Sequence, residues 1–207
     1  MPITEYLTFR TTPQIFKDHD QFVKLRNGAR EAGIVNQSYG VGIEDNEVVH
    51  WIIQFDQGFG PDKFVWNDVK YGDFGQEIMK IAREPPESAF MSFDGREAFA
   101  KEVTASPVTE IATLAIKEDV AKEDVSKILG DISVRLRKAK NSTGASWGED
   151  PKNKPNKVHL FIGWQSIEDH ITFTQTDEFK EIGGLMAKIV ADASMVHVAF
   201  ADHASPQ

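Results

Sequence analysis

Six histidines and no cysteine define the chemistry open to this 207-residue chain. Without thiols there is no disulfide, no thiolate nucleophile and no cysteine metal site. Proton transfer therefore falls first to imidazole, the side chain that titrates nearest neutrality. His50 and His159 hold equivalent places in two similar segments, Val49-His50-Trp51-Ile52-Ile53-Gln54-Phe55 and Val158-His159-Leu160-Phe161-Ile162-Gly163-Trp164. His197 lies in a third apolar run, between Val196 and Val198. A base at these points could take a phenolic or α-carbonyl proton and leave an electron-rich anion for oxygen, ring closure or elimination. Tyr6, Gln54 and Thr113 are the candidates to hydrogen-bond the developing oxyanion, and Phe161 to line the pocket. Histidines satisfied by backbone groups on a repeated strand would show the same spacing. No His-x-His or His-x-x-x-His pair occurs, so no metal and no bound cofactor are expected; a lone axial histidine for haem remains an open alternative. Gly58-Phe59-Gly60-Pro61-Asp62-Lys63 lacks the Gly-Lys-Ser/Thr ending of a phosphate loop and reads as a turn or pocket lid.

The elements that must position these groups occur twice, in the same order. Ile3-Thr4-Glu5 opens one half as Val108-Thr109-Glu110 opens the other, and residues 88–94 (SAFMSFD) are answered by residues 194–202 (SMVHVAFAD). Each half reads strand, helix, strand, strand, helices, strand, with boundaries at 1–104 and 105–207. Residues 3–10 alternate as a strand. Phe22, Leu25, Ala29 and Ala32 recur at helical spacing, and Gly33 marks the stop. Residues 37–44 and 47–56 form two strands joined at Asp45-Asn46. In the second half Val125, Leu129, Ile132, Leu136 and Ala139 give an amphipathic helix. Ser166 with Asp169 makes a capping pattern, Thr176 starts another helix, and Gly183-Gly184 suggests close packing or a kink there. Residues 95–107 read as a connector and 201–207 as a loose tail. His170 is placed near solvent in a helix, and His19 and His203 in a loop and the tail.

Strand alternation sorts the faces. Val158, Leu160, Ile162 and Trp164 form the helix-facing set, leaving His159, Phe161 and Gly163 on the other side with His50, Ile52 and Gln54. Thr4, Tyr6, Thr8, Thr109, Ile111 and Thr113 are the first-strand candidates for that interior. His197 falls opposite Val196, Val198 and Phe200, and is taken as a pocket residue.

Composition excludes several classes of partner. The net charge is −9 with no basic stripe, which argues against nucleic acid and anionic membranes. No apolar run reaches spanning length and residues 1–10 carry no export signal, so the expectation is a cytoplasmic protein. A βαββαβ order is the ferredoxin-like arrangement, and the open face of one such sheet needs a second sheet against it. The fold class expected is therefore α+β, two tandem ferredoxin-like repeats packed sheet to sheet within one chain. Further homodimerisation is compatible with this plan.

In the second half, Val158-x-Leu160-x-Ile162-x-Trp164, Ser166-Ile167-Glu168-Asp169-His170 and Phe173-Thr174-x-Thr176-x-x-Phe179 resemble the dimeric α+β barrel superfamily. The likeness is greatest to its antibiotic-biosynthesis-monooxygenase branch in tandem-duplicated, fungal-type form. It is weaker in the first half, where Phe55 takes the tryptophan position. The resemblance implies a cofactor-independent monooxygenase acting on an aromatic or polyketide-like substrate, with His159, His50 and His197 as candidate bases. Because the superfamily also contains isomerases, lyases, cyclases and stress proteins, two alternatives stand beside it. One is a cyclase, isomerase or lyase; the other is a non-catalytic barrel holding an apolar or aromatic small molecule.

Overall fold

A computed structural model of the chain describes residues 3–12, 19–56, 58–92, 99–150 and 156–202. Leu7 and Phe9 of β1 (Ile3–Arg10) face Phe22, Leu25 and Ala29 of α1 (His19–Glu31), because period-two and period-3.6 patterns each give one apolar side to bury. The strands β2 (Asn36–Val41) and β3 (Val48–Phe55) add Val49, Trp51, Ile53 and Phe55 to the same core. Two short helices, α2 (Asp68–Tyr71) and α3 (Phe74–Ile78), lead to β4 (Glu87–Ser92). The second half repeats the plan with β5 (Val108–Ile116), α5 (Lys122–Lys138), β6 (Ser142–Glu149) and β7 (Lys157–Trp164). It continues through α6 (Ile167–Thr174), α7 (Asp177–Ile189) and β8 (Val190–Val198). Here Val125, Leu129, Ile132 and Leu136 are the buried stripe of α5, as their spacing predicts. Ser166 caps α6 through the Asp169 N–H, and Thr176 caps α7 through the Phe179 N–H.

The strands form one antiparallel sheet in the order β8-β5-β7-β6-β4-β1-β3-β2-β9, where β9 is Ala201–Asp202. Only two residues separate β8 from β9, so the two ends of that order are one stretch of chain and the sheet closes on itself. At this seam Ser38 and Tyr39 pair with Asp202 and Ala201, Gly42 bridges Val198, and the Ile43 N–H donates to the His197 carbonyl at 2.8 Å. Gly40 is required there: a β-carbon on it would lie 2.4 Å from the Ala199 carbonyl oxygen. The opposite seam joins β4 to β6 at Ser92 and Glu149.

Helices cover the outer face of each half, and a third apolar layer lies between the sheets. It is built from Tyr6, Ile52, Met91, Ile111, Phe161 and Val198 among others. This is the expected α+β architecture, two ferredoxin-like halves of one chain clasped sheet to sheet.

Four local expectations of the fold change, the first being that His19 opens α1 instead of lying in a loop. The connector contains a short helix, α4 (Lys101–Thr104), whose Val103 is buried in the central layer. The start of the supposed tail is β9, held by β2. Gly183 and Gly184 do not pack closely, since nothing lies within 4 Å of a β-carbon built on either, and both lie inside the continuous span of α7. His203 lies outside the described residues.

Candidate functional site

The layer between the sheets collects five of the seven residues singled out from sequence. Thr8 faces His50 across β1 and β3, and Thr113 faces His159 across β5 and β7, so the two histidines occupy matching register positions. Their partners differ because Tyr6 in the first half corresponds to Ile111 in the second. The Tyr6 hydroxyl lies 2.7 Å from His50 Nδ1, whereas Thr113 Oγ1 lies 3.1 Å from His159 Nδ1. Tyr6 links both halves: its ring stacks on His50 and meets His159 and Phe161 edge-on, with centroids 5.4 and 5.7 Å away. Gln54 is half-buried farther along β3, on the His50 side, opposite Thr4.

His50 is 4% exposed, and its Nε2 has no hydrogen-bond partner among the described residues. That nitrogen faces Gly42, where a β-carbon would lie 3.4 Å from it. Burial lowers the His50 pKa to about 4, outweighing the opposing fields of Asp45 and Glu44. The ring is therefore neutral at physiological pH. Burial also raises the Tyr6 phenol above its ordinary value, so it remains a hydrogen-bond donor.

His197 does not join this group. Val196 and Val198 turn into the central layer, so alternation sends His197 to the helix-facing side of β8. There it pairs in register with Glu110 of β5 and meets His170 of α6, whose Nδ1 is 2.9 Å from His197 Nε2. Glu110 Oε2 lies 3.4 Å from His170 Nε2 and accepts the Trp164 indole N–H at 2.9 Å. Glu44, in the turn after β2, grips His197 from the other half: Oε2 accepts its backbone N–H at 2.9 Å, and Oε1 meets Nδ1.

His170 is thus buried, not near solvent, stacked on Trp164 with centroids 5.4 Å apart. Burial, the largest influence on it, lowers its pKa against the pull of Glu110. Sequence reasoning missed Glu44, Glu110 and His170 as a group. One signal was available: Glu110 is a carboxylate on the helix-facing register of Val108, Ala112 and Leu114, where an unpaired charge would be costly.

No family model and no curated protein sequence matches the chain. Solved structures do. A proposed monooxygenase of Lactobacillus acidophilus superposes with TM-score 0.65 at 12% identity, covering 96% of this chain and 93% of its own. A proposed monooxygenase of Fusobacterium nucleatum gives 0.67 at 13% identity, covering 99% and 98%. A protein described as anthrone oxidase-like gives 0.68 at 13% identity, covering 97% and 93%. The chain thus shares the fold of these proteins over nearly its whole length, with both ferredoxin-like halves in one polypeptide. Among the described residues no helix is long and apolar enough to cross a membrane.

Proposed function

We propose that the chain is a small-molecule oxygenase that uses His50 as general base on an aromatic, polyketide-like phenol or anthrone bound between the sheets. The observation that carries this reading is the buried, neutral His50, whose Nδ1 is engaged by Tyr6 and whose Nε2 is left for a ligand. A buried polar nitrogen without a partner is unfavourable, and a substrate proton supplies one. His159, Phe161 and Thr113 line the same layer from the second half. Its aromatic edges suit a flat, apolar ring system better than a charged metabolite.

In the chemistry envisaged, His50 Nδ1–H donates to the Tyr6 oxygen, so Nε2 carries the lone pair that takes a proton from the activated carbon or phenol, and the Tyr6 O–H donates to the developing oxyanion. The delocalised anion reduces dioxygen itself, so the protein need supply no bound cofactor. For a methylene oxidised to a carbonyl, one oxygen atom enters the product and the other leaves as water. The fold similarity to an anthrone oxidase-like protein makes an anthrone the first substrate to try.

An oxygen electrode with product analysis tests this. Wild type is expected to consume one dioxygen per carbonyl formed. His50→Gln should lose at least about a hundredfold in kcat, the usual range for a lost general base, and Tyr6→Phe less. Turnover unchanged in both His50→Gln and His159→Gln would exclude the interior site. Conversion that proceeds equally without oxygen would place the chain with isomerases, cyclases or lyases.

A further inference from the structure

We propose that Glu110, His170 and His197 form a binding site for a divalent first-row transition ion such as Zn2+, separate from the layer between the sheets. One donor atom from each lies within 4.8 Å of the other two, and all three residues are buried. Two imidazoles and one carboxylate are a recurrent donor set for such ions, and neutral histidine is the ligating form. His170 Nδ1 and His197 Nε2 share a hydrogen bond at 2.9 Å. Two nitrogens bound tetrahedrally at about 2.05 Å stand about 3.3 Å apart, so the ion would replace the shared proton with the nitrogens parting by only a few tenths of an ångström.

The surroundings are those of ligands held in place. Glu44 engages His197 Nδ1, which leaves Nε2 for the ion, a carboxylate–histidine pairing that fixes both tautomer and ring orientation. Trp164 donates to Glu110 Oε2, which orients the carboxylate, and the same oxygen lies 3.4 Å from His170 Nε2. The donors come from β5, α6 and β8, so an ion would tie a helix to two strands, and through Glu44 to the other half.

The first half makes a natural comparison. Glu5 holds the register place of Glu110, but Phe90 stands opposite it where the second half has His197, and Phe55 replaces Trp164. Glu5 accepts a hydrogen bond from Ser88 at 2.6 Å instead. The histidines are therefore not a requirement of the fold; they are particular to one end of the molecule.

The test uses the full chain, stripped with chelator and titrated with Zn2+ by calorimetry and metal analysis, and with Co2+ by visible absorption. Expected is one equivalent of Zn2+, visible Co2+ bands and a higher melting temperature with metal. Affinity should fall at least a hundredfold in His170→Gln and His197→Gln, and about tenfold in Glu44→Gln, whose half-exposed side chain makes misfolding a lesser risk. His50→Gln should bind as wild type does, separating this site from the proposed base. Absence of stoichiometric metal in wild type, or equal affinity in folded His170→Gln and His197→Gln, overturns the proposal. If circular dichroism shows those two variants unfolded, unchanged affinity in Glu44→Gln overturns it instead.

Discussion

His50 is a basic side chain kept uncharged by its surroundings, and that has a measurable cost in acid. Its pKa is about 4 in the folded protein and about 6.5 when unfolded. Between these values the unfolded chain binds the extra proton, so this group's share of stability is intact above pH 6.5 and lost as pH falls to about 4. The full loss is roughly 3 kcal/mol. Urea denaturation at pH 7 and pH 5 should show a drop about 2 kcal/mol larger in wild type than in His50→Gln. In an active enzyme the acid limb of kcat/KM would fall near pH 4 rather than pH 6.5. At this scale alternation made much of the interior legible: His50 with Ile52 and His159 with Phe161 follow from period two alone. Glu44 and His170 had no such signal. Glu44 comes from a turn of the other half and meets His197 only because the strands close, while His170 comes from a helix packed on the outer face of its own half.

At the level of elements, legibility followed length. The stripe of α5 spans several turns and could be read directly, whereas α4 and β9 hold four and two residues and carry no period. β9 exists because β2 offers an edge to pair with, a tertiary cause. Glycines give a paired prediction. Gly40→Ala would drive a β-carbon against the Ala199 backbone and should destabilise by at least about 1–3 kcal/mol, the usual cost of overpacking. Gly183→Ala, in open space within α7, should stabilise by about 0.5–1 kcal/mol through helix propensity. Chemical denaturation of the two variants beside wild type checks both signs at once.

For the whole molecule, the central layer decides behaviour. Tyr6, Ile52 and Met91 come from one half and Ile111, Phe161 and Val198 from the other, so neither half buries its inner face alone. Unfolding should therefore be one transition. Single-tryptophan variants retaining Trp51 or Trp164, which report on opposite halves, should give coincident denaturation curves. Separated midpoints would show that the clasp is weak. The matched framework with mismatched ends, Glu5 beside Phe90 and Glu110 beside His197, has a further consequence. An assembly of two identical subunits inherits every substitution at both poles, whether or not both benefit. Here the poles are written separately in one polypeptide, so one can acquire a new chemistry while its counterpart stays plain.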